Sequence, residues 1–136
     1  MDDLMTRMDR MFHPNVVAVV GDKQVSNYRW LKSHAPFQGE AYAGKVYHVN
    51  VDRSEWSGAE ALGFQNVANL QDIAEPVDYV TLSVPNTVVP IVLRDCVAKG
   101  VGAVHIFAAG FDDSPEDESL WKKFVTDSFY GPMRPE

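Results

Sequence analysis

Hydrophobic and polar positions along this chain follow two periods, one of three to four residues and one of continuous short apolar runs. Residues Asp3 to Phe12 place Leu4, Met5, Met8, Met11 and Phe12 at spacings of three and four, which predicts a short amphipathic helix whose stripe covers an edge or face of a sheet. His13-Pro14 ends that helix. The run Val16-Val17-Ala18-Val19-Val20 is uninterrupted and mostly β-branched, as expected of a buried parallel strand. After Gly21-Asp22-Lys23, Ser26 or Asn27 stands where it can cap a helix to about Ser33, with Tyr28 and Leu31 inward. A loop from His34 to Gly44 exceeds the usual connection of about 2 to 6 residues, and Lys45 to Val51 reads as the second strand. Ala61 to Gln65 predicts a short edge strand, Asn69 to Ile73 a helical turn stopped by Glu75-Pro76, and Asp78 to Val84 a third long strand halted by Pro85. From a cap at Thr87, a helix to Lys99 carries Val88, Val92, Cys96 and Val89, Leu93, Val97 on one face, with Pro90 in its first turn and Gly100 as its stop. Ala103 to Phe107 is a further strand, and a last helix begins near Ser114-Pro115-Glu116 with Leu120, Trp121 and Phe124 on its apolar side.

Alternation of strand and helix in this order implies an α/β fold: a three-layer, Rossmann-like parallel sheet with right-handed crossovers and helices on both faces. Such sheets bind ligands beyond the carboxyl ends of their strands, where the strand order reverses. Three stretches converge there: Gly21-Asp22-Lys23, Ser83-Val84-Pro85-Asn86 and Ala108-Ala109-Gly110-Phe111. Gly21 lacks a Cβ, so the backbone can turn sharply and let a phosphate approach the N–H groups at the start of the next helix. It serves equally well as the close of a core strand, because the full G-x-G-x-x-G spacing is absent.

Composition narrows the class. At 136 residues, residues 1–136 fit one domain, and 46% hydrophobic with 23% charged residues describes a globular chain. No apolar run approaches the roughly 18 residues that span a bilayer, and the acidic start Met1-Asp2-Asp3 lacks a secretory pattern. A cytoplasmic location away from membranes is expected. The net charge of −7 argues against nucleic acid as a partner. Between Asp22 and Arg53, however, five basic residues (Lys23, Arg29, Lys32, Lys45, Arg53) face three acidic ones (Asp22, Glu40, Asp52), a local +2 compatible with a small anionic ligand. Cys96, alone in the chain, reads as a small buried hydrophobe. His13, His34, His48 and His105 show no metal-ligand spacing, and no nucleophile elbow or activated cysteine is present in the sequence. Neither a metal nor a catalytic residue is expected.

In order along the chain stand Val19-Val20-Gly21, Gly44-Lys45-Val46-Tyr47, Val49-Asn50, Pro76-Val77-Asp78, Val84-Pro85 and Ala109-Gly110-Phe111. This series resembles the CoA-binding domain of the NDP-forming acyl-CoA synthetases and of the alpha subunit of succinyl-CoA synthetase, over about residues 12 to 112. The family reads Gly-Ala-Ser after the first strand, Gly-Lys-Val-Tyr-Pro-Val-Asn-Pro at the second, Pro-Val-Asp before a strand ending in Val-Pro, and an Ala-Gly-Phe turn. The resemblance implies coenzyme A or an acyl-CoA as ligand. It implies that the Gly21 turn with Asp22 and Lys23 meets the CoA phosphates. Asn50, Asp52 and Arg53 then lie near the adenosine or its 3′-phosphate, and Ser83, Val84, Pro85, Asn86, Ala109, Gly110 and Phe111 line the path of adenine and pantetheine. A guanidinium such as that of Arg53 suits a 3′-phosphate. It further implies a phosphohistidine and an ATP-grasp partner elsewhere, since the family continues past Ala-Gly-Phe into such domains and no ligase machinery is expected in this chain, which runs on to Phe129-Tyr130-Gly131-Pro132.

The chain departs from the family at Asp22-Lys23 in place of Ala-Ser and at Val51-Asp52 after the asparagine. An aspartate beside a diphosphate repels it unless its side chain turns away, so removing Asp22 is expected to strengthen binding if the site is live. Two other readings stay open. Asp52 can accept hydrogen bonds from a ribose 2′-OH in an NAD(H)-binding domain, although it lies 31 positions after Gly21 where about 20 is usual. Alternatively, the domain is a ligand-free interaction module that pairs an exposed sheet edge with another subunit, as in a homo-oligomer.

Overall fold

The all-apolar run at the start of the chain takes the centre of the structure because every one of its side chains needs cover. In the computed structural model, which describes residues 3–34, 42 and 44–107, Val16–Val20 (β1) is buried along its whole length. It pairs in parallel with Lys45–Val49 (β2) on one side and Tyr79–Leu82 (β4) on the other. Gln65–Val67 (β3) adds to β2, and Ala103–Ile106 (β5) adds to β4. The order β3-β2-β1-β4-β5 makes the β1/β4 junction the point where strand order reverses.

Helices cover both faces, as the sequence pattern implied. On one face Ala18, Val20, Tyr47, Val49, Val80 and Leu82 pack against Val89, Val92, Leu93 and Cys96 of Val89–Lys99 (α4). On the other, Val17 and Val19 pack with Tyr28, with Leu31 of Arg29–Lys32 (α2) and with Ala59 of Trp56–Ala61 (α3). Each fully buried valine or leucine contributes about 1.5–3 kcal/mol relative to exposure. Burial pushes the Cys96 thiol up to about 12, consistent with a packing role.

Several elements differ from their sequence expectation. The edge strand expected over Ala61 to Gln65 lies at Gln65–Val67, because α3 continues through Ala61 and closes with Gly63 N donating to Glu60 O at 2.9 Å. The helix after the Gly21 turn spans only Arg29–Lys32, since Asn27 and Tyr28 both adopt left-handed backbone angles (φ 58° and 50°). Neither Ser26 nor Asn27 caps it. Likewise Thr87 does not cap α4, which begins after a turn in which Val88 N donates to Pro85 O at 2.8 Å. Gly100 does end that helix, in the left-handed region at φ 75°. The last helix expected near Ser114 lies outside the described residues.

The helix Asp3–Phe12 (α1) forms, yet its stripe does not cover the sheet. Leu4 and Phe12 are each 64% exposed, and Met5, Met8 and Met11 are exposed as well. Polar contacts dock this helix. Arg10 Nε donates to Asp78 Oδ1 at 2.8 Å, and Arg10 Nη2 donates to Val77 O at 2.9 Å. The other Asp78 oxygen accepts from Asn15 N at 2.8 Å and Val16 N at 3.1 Å, so one carboxylate ties α1 to the start of β1 and the entry of β4. Burial raises the Asp78 carboxyl, but the hydrogen bonds from Arg10, Asn15 and Val16 and the Arg10 charge outweigh it and hold the group below its ordinary value.

Asp78→Ala is therefore expected to lower unfolding free energy by about 2–4 kcal/mol in urea titration. A depressed carboxyl stabilises fully above its ordinary value of 3.8 and loses that contribution as the pH falls through the folded value. Wild-type stability should thus converge on that of the variant in this acid range.

Candidate functional site

Beyond the carboxyl ends of the strands, the ladder is still closing when the chain leaves it. Gly21 N donates to Val49 O at 3.0 Å, and Ser83 N to Val20 O at 2.8 Å. Gly21 has φ 87°, and a Cβ built there would come within 2.5 Å of Ser83 O. The glycine is required twice, by its backbone angle and by the close approach of the β4 loop. Sequence reasoning had the first of these reasons but not the second.

Two adjoining cavities open at this junction. One, of about 200 Å³, is walled by Val20, Val49, Val51, Leu70, Val88 and Val92, with Asn50, Asn69 and Asp95 as its polar members. The other, of about 330 Å³, is lined by Gly21, Lys23, Ser26, Asn50, Ser83, Val84, Pro85 and Phe107. Of the residues expected from the sequence, Gly21, Lys23, Asn50, Ser83, Val84 and Pro85 are brought together here. Asn86, Asp52 and Arg53 do not line either cavity. Asp52 Oδ1 accepts from Ser54 N at 3.1 Å and Ser54 Oγ at 2.6 Å, which holds its carboxyl below the usual value. The Arg53 guanidinium lies 4.8 Å from the Trp56 ring centre, while Trp56 Nε1 donates to Asn50 O at 2.8 Å, linking this pair to the cavity wall. Ala109, Gly110 and Phe111 lie outside the described residues. The walls from Val88 and Val92 were visible as a helical stripe, but only the strand order shows that the first turn of α4 faces the cleft.

Asp22 corrects the sequence expectation. Its side chain is fully buried and turned away from the cleft. One oxygen accepts from Trp30 N at 3.0 Å and Leu31 N at 2.8 Å, the other from Lys23 N at 3.1 Å and Ser26 Oγ at 3.4 Å. It is the cap that α2 lacks locally, placed at the helix N-terminus by the two left-handed residues Asn27 and Tyr28. A second carboxylate, that of Glu55, also meets the turn's donors. Its Oε2 accepts from Gln24 N at 2.9 Å and from the Tyr28 hydroxyl at 3.3 Å. Burial, then the Glu55 charge and hydrogen bond, raise the Tyr28 phenol and keep it a donor. Lys23 N and Gln24 N, two of the N–H groups that a glycine turn offers to phosphate, thus already serve carboxylates of this chain. Of the side chains lining this edge, Lys23 carries the positive charge, while the Ser26 hydroxyl is already committed, donating to Lys23 O at 3.0 Å.

Removing Asp22 should therefore unfold rather than activate: Asp22→Ala is expected to cost about 2–4 kcal/mol, with buried N–H groups at Trp30 and Leu31 left unpaired. Asp22→Asn, which retains one acceptor oxygen, should cost less in the same urea titration.

Residues 15–121 match the family described as a CoA binding domain. The alpha subunit of ADP-forming acetate–CoA ligase II from Pyrococcus furiosus is 34% identical over 113 residues, which is 81% of this chain and 23% of that protein. The corresponding subunit of isoenzyme I from the same organism is 30% identical over 81% of this chain and 24% of its own length. The dinucleotide-forming acetyl-coenzyme A synthetase 1 of Ca. Korarchaeum cryptofilum, solved with phosphate and ADP, superposes with a TM-score of 0.68 at 27% identity, covering 91% of this chain and 26% of that one. The WlbA dehydrogenase of Chromobactrium violaceum, solved with NADH, superposes at 0.55 with 21% identity over 82% of this chain and 33% of its own, a likeness of fold alone. This chain thus spans about a quarter of the ligase subunits it matches. By the family match across most of its length, and by a parallel sheet with its glycine at the β1/β4 reversal, the chain belongs to the CoA-binding domain family of the NDP-forming acyl-CoA synthetases.

Proposed function

We propose that this domain binds coenzyme A or an acyl-CoA across the carboxyl edge of its sheet. It does so as a stand-alone binder or as the non-catalytic part of an NDP-forming acyl-CoA synthetase whose ATP-grasp module lies elsewhere. The observation that carries this reading is the pair of cavities meeting at Gly21, Asn50 and Val84. The valine-walled cavity suits a flat apolar ring with a few polar edge contacts. The neighbouring cleft offers the Lys23 ammonium to phosphate oxygens and leads past Pro85 to Phe107, a surface suited to the amide-bearing pantetheine arm. Exposed Arg53, set on Trp56 at the end of β2, is the guanidinium available to a 3′-phosphate. Bound CoA would bring the thiol that becomes the thioester; the residues described here hold and orient it.

An NAD(H) reading is weaker in this structure, because Asp52, the residue that would accept from a ribose, lines neither cavity. A ligand-free module keeps one observation in its favour: Glu55 occupies Gln24 N–H where a phosphate would sit.

Titration calorimetry with CoA, dephospho-CoA and NADH separates the three. Heat with CoA and none with NADH is expected, and no heat with any of them overturns the proposal. Arg53→Ala should weaken CoA about tenfold or more while changing dephospho-CoA little, as loss of a charge-assisted contact implies. Glu55→Gln removes the competing charge from the turn and should tighten CoA by about two- to tenfold. An unchanged affinity for CoA in that variant would remove the Glu55–Gln24 contact from the binding site.

A further inference from the structure

His48 is the one fully buried imidazole among the described residues, and no role falls to it in the cleft itself. It sits on β2 beneath the turn, its ring edge-on to Tyr28 at a centroid distance of 6.2 Å. Each ring nitrogen faces an oxygen. Nδ1 lies 2.7 Å from Asn66 Oδ1, and Nε2 lies 3.0 Å from the backbone carbonyl of Asp22. The carbonyl can only accept. The Asn66 amide is oriented by its own donation, Nδ2 to Trp56 O at 3.0 Å, so turning it over would set two acceptors against each other at Trp56. A neutral imidazole has one donor and one acceptor nitrogen, and in either tautomer one of these two short contacts would be acceptor against acceptor. Only the form with a proton on both nitrogens satisfies both oxygens.

We infer that His48 is a buried imidazolium acting as a positioning residue: through Nε2–H, with Asn50 Nδ2 beside it at 3.2 Å, it fixes the Asp22 carbonyl and thereby sets the Gly21-Asp22-Lys23 turn for the ligand phosphates. The residue whose carbonyl it holds, Asp22, has its buried carboxylate committed to the N-terminus of α2. Glu55, held by the Tyr28 hydroxyl, is the next anion on that face. One aspartate is thus clasped from both ends, its carbonyl by β2 and its carboxylate by α2. The peptide between Asp22 and Lys23 cannot rotate without breaking one clasp. The turn is held in one orientation before any ligand arrives, so a ligand need not bear the cost of ordering it.

The part of this inference that concerns CoA rests on the binding reading above, and the tests keep the two apart. Long-range 1H–15N spectra of the whole chain at neutral pH should show both His48 ring nitrogens bearing protons; one protonated and one bare nitrogen overturns the imidazolium. His48→Gln can still reach the Asp22 carbonyl with an amide donor, whereas His48→Asn is the length of the Nδ1 arm and keeps only the Asn66 side. Amide hydrogen exchange at Lys23, Trp30 and Leu31 should accelerate in His48→Asn and stay near wild type in His48→Gln. Calorimetry should follow the same split, with CoA about tenfold weaker in His48→Asn and within about threefold in His48→Gln. Equal behaviour of the two variants in exchange overturns the positioning role, whether or not CoA binds. Absence of CoA heat with the wild-type protein overturns the binding reading and leaves the exchange and nitrogen spectra to decide the inference on His48.

Discussion

The buried side chain of Asp22 joins three parts of the structure that otherwise have no covalent reason to meet. It lies at the exit of the central strand, receives N–H groups from the first turn of α2, and presents its carbonyl to His48 on β2 and to Asn50 just beyond that strand. A carboxylate out of contact with water is costly unless every lone pair is served, and here four protein donors serve it. The short α2, only Arg29–Lys32, lacks the length to be stable by itself. Its position over Val17 and Val19 depends on that cap and on the burial of Tyr28 and Leu31.

The same clasp shapes the chemistry of the cleft. A glycine turn at a strand exit offers backbone N–H groups to anions, but in this chain Asp22 and Glu55 have taken those of Lys23 and Gln24. On the CoA-binding reading proposed above, a ligand phosphate would compete with Glu55 for the Gln24 N–H. The unshared positive charge is then in side chains, Lys23 at the turn and Arg53 after β2. Such groups reach further and are less rigid than backbone donors. Beside these side chains, Val49, Val51, Val88 and Val92 wall the adjoining cavity with apolar surface.

At the opposite end of the sheet, Asp78 plays a parallel part. It gathers Arg10, Asn15 and Val16, so that α1 is docked by a polar junction while its methionine and leucine side chains stay exposed. Period alone assigned that stripe to the sheet, because an amphipathic helix normally buries its apolar side. The helix is instead oriented by where Arg10 finds its carboxylate.

What the sequence by itself determined was everything that follows from local periodicity and excluded volume. The continuous run at Val16–Val20 had to be a central parallel strand, the stripe Val89, Val92, Leu93, Cys96 had to face a sheet, and Gly100 had to end that helix. Ordered motifs from Val19 to Phe111 carried the family, and those among the described residues lie at or beside the ends of β1, β2 and β4. What only the tertiary structure decided were pairings between residues distant in sequence: Asp22 with Trp30 and Leu31, Glu55 with Gln24, His48 with the Asp22 carbonyl, Asp78 with Arg10. A charged residue reads the same in sequence whether it faces a ligand or a backbone N–H. Which it faces is set by the orientation of the neighbouring peptide, here by two left-handed residues at Asn27 and Tyr28 that no period announces.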